Sequence, residues 1–196
     1  MFAKTINPTV YRNHPIDIFG CKRNLPICKV NDDLYIAAFV IFGDVELTRT
    51  CAQELVKKLP PFDIIITVES KGIPLAYEMA RILNSEKYLI ARKSSKLYMQ
   101  NPYSVEVQSI TTPKKQMLYI DESDKNAMCG KRVVILDDVI STGESLLAVE
   151  KLVTSSGGNI VARMCAIAEG DAADRNDIIF LKKIPLFFAE KQTADS

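Results

Sequence analysis

The sequence is poor in the side chains that many hydrolytic centres use. It contains one histidine, His14, no tryptophan, and five cysteines scattered along 196 residues. A single histidine argues against Ser-His-Asp and Cys-His triads, and the spacing of Cys21 and Cys28 is too wide for a zinc knuckle. An odd number of dispersed cysteines indicates reduced thiols, and we therefore expect a cytoplasmic protein.

The chain also lacks an excess of either charge and a long apolar run. Lysine and arginine number 25 against 24 aspartates and glutamates, a formal net charge of +1. Bulk attraction to nucleic acid or to an anionic membrane is therefore not expected, although a local basic pocket is compatible with this balance. No apolar run approaches the ~20 residues that span a bilayer, and "MFAKTINPTVYRNHP" lacks the apolar core of a secretory signal. We expect no nucleic-acid partner and no membrane partner.

The chain does contain an alternation of helix and strand patterns that follows a proline-rich start. Residues 1 to about 40 are predicted to be irregular, and 1–43 to form a small N-terminal hood. The apolar spacing then predicts helices at 44–59, 73–84 and 143–158, and strands at 63–68, 87–91, 116–121, 132–136 and 160–169. Asp44 is the predicted N-cap of the first helix, and the strand 160–169 is predicted to close the sheet.

Strands that alternate with helices indicate βαβ units. We predict a single domain, 1–196, of the α/β class, built on a mostly parallel twisted sheet with helices on both faces. The polar interval 94–115 is longer than the ~12–15 residues of most structureless loops. We predict that it is a long flexible lid loop, and a plain linker is the alternative.

The segment "VVILDDVISTGES", residues 133–145, predicts a ligand site. Asp137 and Asp138 follow a buried strand, at the edge of a parallel sheet where ligands bind. The next residues are small or hydroxylated and open a helix, whose N-terminus suits a phosphate. The two carboxylates suit hydroxyl groups or a divalent cation bridged through water, and a ribose 5-phosphate satisfies both halves of the site. The alternative is that Asp138 and Thr142 only cap the helix.

This segment resembles the signature of the type I phosphoribosyltransferases, in which an acidic pair faces the ribose diol of phosphoribosyl pyrophosphate (PRPP) and a loop holds its 5-phosphate. The resemblance assigns those roles to seven residues: Asp137, Asp138, Ser141, Thr142, Gly143, Glu144 and Ser145. Relatives often have glycine at position 144, so Glu144 is expected to act through its backbone N–H.

Two further segments resemble the pyrophosphate site of the same family. "TVESKGIPLA", residues 67–76, is similar to the loop after the first strand of the sheet, which often holds a non-proline cis peptide. "IARKSSK", residues 90–96, is similar to the segment that completes this site and starts the lid. The residues implied are Ser70, Lys71, Gly72, Arg92, Lys93 and Lys96. The alternative for the basic residues is a solvated surface.

The lid resemblance points to purines. "YSVEVQS", residues 103–109, is similar to the lid of adenine phosphoribosyltransferases, whereas the pyrophosphate segments are equally similar to xanthine phosphoribosyltransferases and to a purine-operon repressor of the same fold. Glu106 is the candidate catalytic carboxylate, and a solvated lid residue is its alternative. The hood reads "DDLYIAAF" where adenine enzymes tend to have Phe-Arg-Asp. Leu34, Tyr35 and Ile36 are the predicted base-binding residues, and packing in the core of the hood is the alternative.

The resemblance implies transfer of ribose 5-phosphate from PRPP to a purine base, with adenine favoured, in purine salvage. It implies Mg²⁺ carried mainly by PRPP and pyrophosphate, with no protein metal site, and we also expect a homodimer. The alternative function is a PRPP-sensing regulator without catalysis. A generic nucleotide hydrolase would need a Gly-rich P-loop, which the sequence lacks.

Overall fold

The computed structural model of the chain describes residues 2–108 and 115–190. Its strands are β1 (Ala3–Ile6), β2 (Asn13–Ile18), β3 (Cys21–Lys29), β4 (Leu34–Ala37), β5 (Ile64–Val68), β6 (Leu89–Ala91), β7 (Tyr103–Gln108), β8 (Lys115–Ile120), β9 (Arg132–Ile140), β10 (Asn159–Glu169), β11 (Ile179–Ile184) and β12 (Leu186–Ala189). Its helices are α1 (Val45–Val56), α2 (Gly72–Ile82), α3 (Glu122–Met128) and α4 (Glu144–Ser155), and Gly170–Asp174 form a 3₁₀ helix.

Five parallel strands form the main sheet, in the order β11-β10-β9-β5-β6. One core cluster joins buried residues of α1 and α2 to one face of this sheet, and a second joins α4 to the other face. The predicted α/β class, with a mostly parallel sheet and helices on both faces, is therefore confirmed. The predicted closing role of 160–169 is wrong, because β11 pairs with the outer side of β10.

Local sequence explains the helix that leads into this sheet. Asp44 caps α1, and its carboxylate accepts a hydrogen bond from the Leu47 N–H at 3.0 Å. Leu47, Cys51 and Leu55 follow at four-residue spacing and are buried against the sheet. The predicted N-cap is confirmed, and the helix ends at Val56 rather than at residue 59.

The prediction of an irregular N-terminus is wrong. Strands β1 to β4 form a second sheet together with β12, in the order β1-β12-β4-β3-β2, and we call it the hood sheet. Pro15 lies in β2, an edge strand, where a missing N–H costs no ladder hydrogen bond. Strand β12 comes from the far end of the chain and lies between β1 and β4, so no local pattern predicts it.

The predicted strand at 116–121 is present but does not belong to the parallel sheet. It forms β8, which pairs antiparallel with β7, so residues 103–108 of the predicted lid interval form one arm of a hairpin. Residues 109–114 of the predicted lid lie outside the described residues. A bridge between Arg92 and Tyr119 connects the hairpin to the chain just after β6. The hairpin thus starts beside the end of the main sheet.

Two composition-based expectations concern cysteines and membranes. All five cysteines are free thiols, and Cys21, Cys51 and Cys165 are buried. In the part of the chain that the structure describes, no helix is long and apolar enough to cross a membrane.

Candidate active site

The acidic pair lies inside strand β9 rather than after it. Pairing with β10 continues through Asp137 to Ile140, so both carboxylates are held on a rigid strand. The side chain of Asp138 is 4% exposed, and the Lys71 ammonium lies 3.0 Å from its Oδ2. This contact brings a predicted pyrophosphate residue onto a predicted ribose residue. The two opposite charges form an ion pair.

Asp137, the neighbouring carboxylate, has a strongly raised pKa. Its Oδ1 accepts a hydrogen bond from the Asp138 N–H at 2.9 Å. Burial, reinforced by the charge of Asp138, raises the pKa of Asp137 to about 7. A raised pKa of this kind is unusual for an aspartate and typical of functional sites.

The segment after β9 forms a small polar cavity. Gly143 adopts a left-handed conformation, with φ of 81°, and α4 begins at Glu144. The cavity has a volume of about 120 Å³ and is lined by Asp137 and residues 139–146, which include every predicted phosphate-binding residue. No side chain caps α4, so the alternative in which Asp138 and Thr142 serve as caps is wrong. The N-terminus of α4 therefore faces a space suited to an anion.

The predicted pyrophosphate loop connects β5 to α2. The peptide between Glu69 and Ser70 is cis, as the resemblance implied. Gly72 begins α2 and packs so closely on β5 that an added Cβ would lie 2.1 Å from Thr67 Oγ1 and 3.3 Å from Asp137 Oδ1. A glycine is needed here for close packing, which a resemblance to a ligand loop alone does not indicate.

Glu69 contacts the remaining basic residues of the predicted pyrophosphate site. Its carboxylate lies 3.4 Å from Arg92 Nη1 and 3.5 Å from Lys96 Nζ, and it accepts a hydrogen bond from the Lys93 N–H at 3.2 Å. Burial tends to raise the pKa of Glu69, but the hydrogen bond and the two cations outweigh burial and lower it. These contacts bring the basic residues together beside the cis peptide. The alternative of an unorganised basic surface is therefore less well supported.

The candidate catalytic residue Glu106 lies away from this cluster. It is in β7, and its carbonyl accepts a hydrogen bond from Lys151 Nζ at 2.7 Å. Lys151 is eight residues beyond Gly143 on α4, which corresponds to about 12 Å along a helix. Glu106 thus contacts α4 well beyond its N-terminus, and its catalytic role stays a prediction.

The predicted base-binding residues belong to β4, inside the hood sheet. Tyr35 pairs with Phe187 of β12 on one side and with Lys29 of β3 on the other. Leu34, Tyr35 and Ile36 are half-buried. Because β4 is an internal strand, its backbone polar groups serve the sheet, and only side chains remain for a base. Their role stays a prediction.

Three residues near the site were missed by sequence reasoning. Glu69 lies inside the quoted pyrophosphate motif but was not among the predicted site residues. Glu169, at the end of β10, is 8% exposed. Burial raises its pKa, while the Ser141 hydroxyl and the Lys71 ammonium oppose the shift. Arg175 follows the 3₁₀ helix and lies against Gly143. Neither Glu169 nor Arg175 belongs to a sequence motif that could have indicated it.

Comparison with known proteins gives a consistent result. The sequence model of the family described as "Phosphoribosyl transferase domain" matches residues 48–192. The chain is 29% identical over 158 residues to a hypoxanthine/guanine phosphoribosyltransferase of Ferroglobus placidus, which covers 78% of this chain and 80% of that protein. It is 32% identical over 112 residues to an adenine phosphoribosyltransferase of Petrotoga mobilis, which covers 57% of this chain and 61% of that protein.

Solved structures resemble the whole arrangement. The crystal structure of an adenine phosphoribosyltransferase from Thermoanaerobacter pseudethanolicus superposes with a TM-score of 0.60 at 25% identity, covering 88% of this chain and 96% of that chain. The match includes the hood as well as the main sheet, since 88% of the chain exceeds the span of the main sheet alone.

Proposed function

Because the chain belongs to the phosphoribosyl transferase family, we propose that it transfers ribose 5-phosphate from PRPP to a purine base in purine salvage, forming a nucleoside monophosphate and pyrophosphate. The observation that carries this proposal is the junction of three parts at one sheet edge. The cavity of residues 139–146, the acidic pair of β9 and the basic group around Glu69 match a phosphate, a diol and a pyrophosphate in turn.

The proposed chemistry starts with the sugar held from both ends. The α4 turn binds the 5-phosphate, and Asp137 and Asp138 accept hydrogen bonds from the ribose hydroxyls. The anomeric C–O bond then breaks, pyrophosphate leaves with the electron pair, and positive charge develops on the sugar as in glycoside cleavage. Lys71, Arg92 and Lys96 stabilise the negative charge that accumulates on the leaving group. A purine ring nitrogen forms the new bond to the same carbon.

Mg²⁺ would enter this site with its phosphate ligands. Among the described residues, no group of three His, Cys, Asp or Glu side chains is arranged to hold a metal ion. Mg²⁺ commonly binds one or two carboxylates together with substrate phosphates and water. The acidic pair beside the basic group fits this mode, and the bound ion would neutralise charge on the pyrophosphate.

We propose that the hairpin of β7 and β8 carries the lid over this site. Closure would exclude water, which otherwise traps the cationic sugar. It would also bring Glu106 to the purine, where a carboxylate can take the proton that the attacking base loses. The bridge between Arg92 and Tyr119, near the end of β8, supports a lid anchored at the pyrophosphate end.

The base itself is the least constrained part of the proposal. The "YSVE" segment of the lid favours adenine, while the Ferroglobus relative is named for hypoxanthine and guanine. We propose adenine as the best base, held near Leu34, Tyr35 and Ile36 of the hood, with hypoxanthine or guanine as the second candidate. A flat purine can stack on Tyr35.

A base panel tests both levels of the proposal. Adenine, guanine, hypoxanthine and xanthine are each incubated with PRPP, Mg²⁺ and the protein, and nucleoside monophosphates are separated by chromatography. We expect monophosphate formation to be fastest with adenine. Preference for another purine would overturn only the choice of base, whereas PRPP binding without turnover of any base would favour the regulator. The regulator is otherwise not favoured, because the relatives named above are transferases.

We also propose that the protein is a cytoplasmic homodimer. Val45 and Tyr77 are 69% and 58% exposed beside a 460 Å³ groove between α1 and α2, and Phe42 is exposed nearby. Arg49 lines the same groove and offers a positive charge to a two-fold partner, whereas Glu78 is buried and paired with Arg81. Sedimentation should give a dimer, and Tyr77→Glu should shift it to a monomer.

A further inference from the structure

Arg175 lies beside the turn that precedes α4. A Cβ on Gly143 would lie 3.0 Å from Arg175 Nη1, so the guanidinium lies beside Gly143 at the left-handed turn. The residue follows the 3₁₀ helix after β10. It therefore reaches the proposed phosphate loop from a part of the chain that no motif covers.

Asp177 fixes the direction of this guanidinium. Nε and Nη2 of Arg175 donate hydrogen bonds to the two carboxylate oxygens of Asp177, at 2.8 Å and 2.7 Å. This two-point contact uses one edge of the planar group and turns the remaining amine, Nη1, toward Gly143. The side chain is 32% exposed, so a ligand in the turn can meet it.

The charges of the cavity show why such a group is needed. Among the described residues that line the cavity are two acids, Asp137 and Glu144, and no lysine or arginine. The nearby Lys71 is held by Asp138. A phosphate dianion in this cavity would meet backbone N–H groups and the partial charge of the α4 N-terminus, but no full positive charge from its lining. A cation must come from outside the loop.

We propose that Arg175 is a further phosphate-binding residue: its Nη1 donates a charge-assisted hydrogen bond to the 5-phosphate of the ribose ligand. This inference rests on the proposed function, since it names an additional residue for the same site. Asp177 acts as the positioning residue that presents Nη1 to the loop. Gly143 then serves two needs, because any side chain there would occupy the space of the guanidinium.

Calorimetric titration with two ligands separates this role from a structural one. Arg175→Gln should bind ribose 5-phosphate at least about 10-fold more weakly than the unaltered protein, since a charged hydrogen bond is lost, while pyrophosphate affinity stays unchanged. Arg132→Gln is the matched control. Arg132 also forms a two-point contact with an aspartate, Asp63, but at the start of β9, the end opposite to the acidic pair.

Several outcomes overturn the proposal. Equal affinity of Arg175→Gln and unaltered protein for ribose 5-phosphate removes Arg175 from the site and leaves the transferase function standing. An equal loss for both ligands assigns Arg175 a structural role only. If the unaltered protein binds no ribose 5-phosphate and forms no monophosphate from any base, the proposed function fails and this inference fails with it.

Chemical protection tests the same contact without a variant that has to fold. Phenylglyoxal modifies arginine, and the modified peptides are identified by mass spectrometry. Ribose 5-phosphate should slow modification of Arg175 several-fold and leave the rate at Arg132 unchanged. Equal rates at Arg175 with and without the ligand would exclude contact between its guanidinium and the phosphate.

Discussion

Lys71 and Asp138 form an ion pair that a ribose ligand of this site has to rearrange. Asp138→Asn replaces a charged acceptor with a neutral amide, and loss of such a hydrogen bond costs about 1.5–3 kcal/mol. We expect ribose 5-phosphate affinity to fall roughly 10-fold or more. Pyrophosphate affinity should not fall, because Lys71 is released from its partner. Isothermal titration with each ligand measures both effects.

Asp63→Asn provides the control for this variant, since Asp63 pairs with Arg132 at the start of β9, away from the acidic pair. If Asp138→Asn binds ribose 5-phosphate as tightly as Asp63→Asn does, Asp138 does not hold the diol.

Asp137 makes the stability of the ligand-free protein depend on pH. Its pKa rises from an ordinary 3.8 to about 7 on folding, because the carboxyl group is buried beside Asp138. Below about pH 4 the carboxyl group is protonated in both the folded and the unfolded chain, and its contribution to stability is complete. As the pH rises to about 7, the group ionises first in the unfolded chain, so the free energy of unfolding falls. Each pKa unit corresponds to about 1.4 kcal/mol.

Urea unfolding at pH 4, 5, 6 and 7 tests this coupling. Asp137→Asn cannot ionise, so its free energy of unfolding should gain on that of the unaltered protein as the pH rises. A constant difference between the two proteins across this range would show that Asp137 titrates normally.

Glu106 should act in the chemical step. Glu106→Gln keeps size and hydrogen bonding but loses basicity, so kcat should fall at least ~10-fold with PRPP affinity nearly unchanged. Steady-state kinetics on the best base, together with PRPP titration, separate the two effects. Glu46→Gln, an exposed change in α1, should leave kcat unaltered. Normal turnover by Glu106→Gln would mean that the lid only excludes water.

At the scale of elements, the contact of α2 with β5 is set by one glycine. Gly72→Ala would place a Cβ 2.1 Å from Thr67 Oγ1, and overpacking of this kind costs about 1–3 kcal/mol. Thr67 is fully buried and its hydroxyl has no hydrogen-bond partner in the described chain. Thr67→Ala removes the clashing atom and should recover part of the stability that Gly72→Ala loses.

A double-mutant cycle in urea measures this interaction. Strictly additive losses in the two single variants and the double variant would place the strain of Gly72→Ala elsewhere, for example at Asp137.

Elements of the main sheet could be predicted because their pattern is local. Four-residue apolar spacing predicted α1, and a continuous apolar run predicted β5. The strand β9 was predicted to end at Leu136, since two carboxylates rarely continue a buried strand. Pairing with β10 and the Lys71 contact keep the chain extended to Ile140. The strands of the hood were not predicted, because prolines interrupt their local pattern and because β12 joins them from a distant part of the sequence.

At the scale of the whole molecule, the family was predictable from three short motifs. The match to residues 48–192 confirms the resemblance drawn from the segments at 67–76, 90–96 and 133–145. Those motifs lie in loops after strands, where residue type and ligand chemistry are directly linked. Arg175 and Glu169 reach the same site through tertiary packing, which leaves no signature in the sequence around them.

The position of β12 determines when the molecule can be completed on the ribosome. Strand β12 pairs with β1 and β4 on its two sides, yet it is synthesised more than 140 residues after either of them. During translation, the backbone groups of β1 and β4 that pair with β12 therefore stay unpaired until after the main sheet has been synthesised. Phe187, fully buried in the finished protein, then fills the gap. The hood sheet, which we propose binds the base, is thus synthesised almost first and completed last. A chain that ends before β12 would lack a complete purine site.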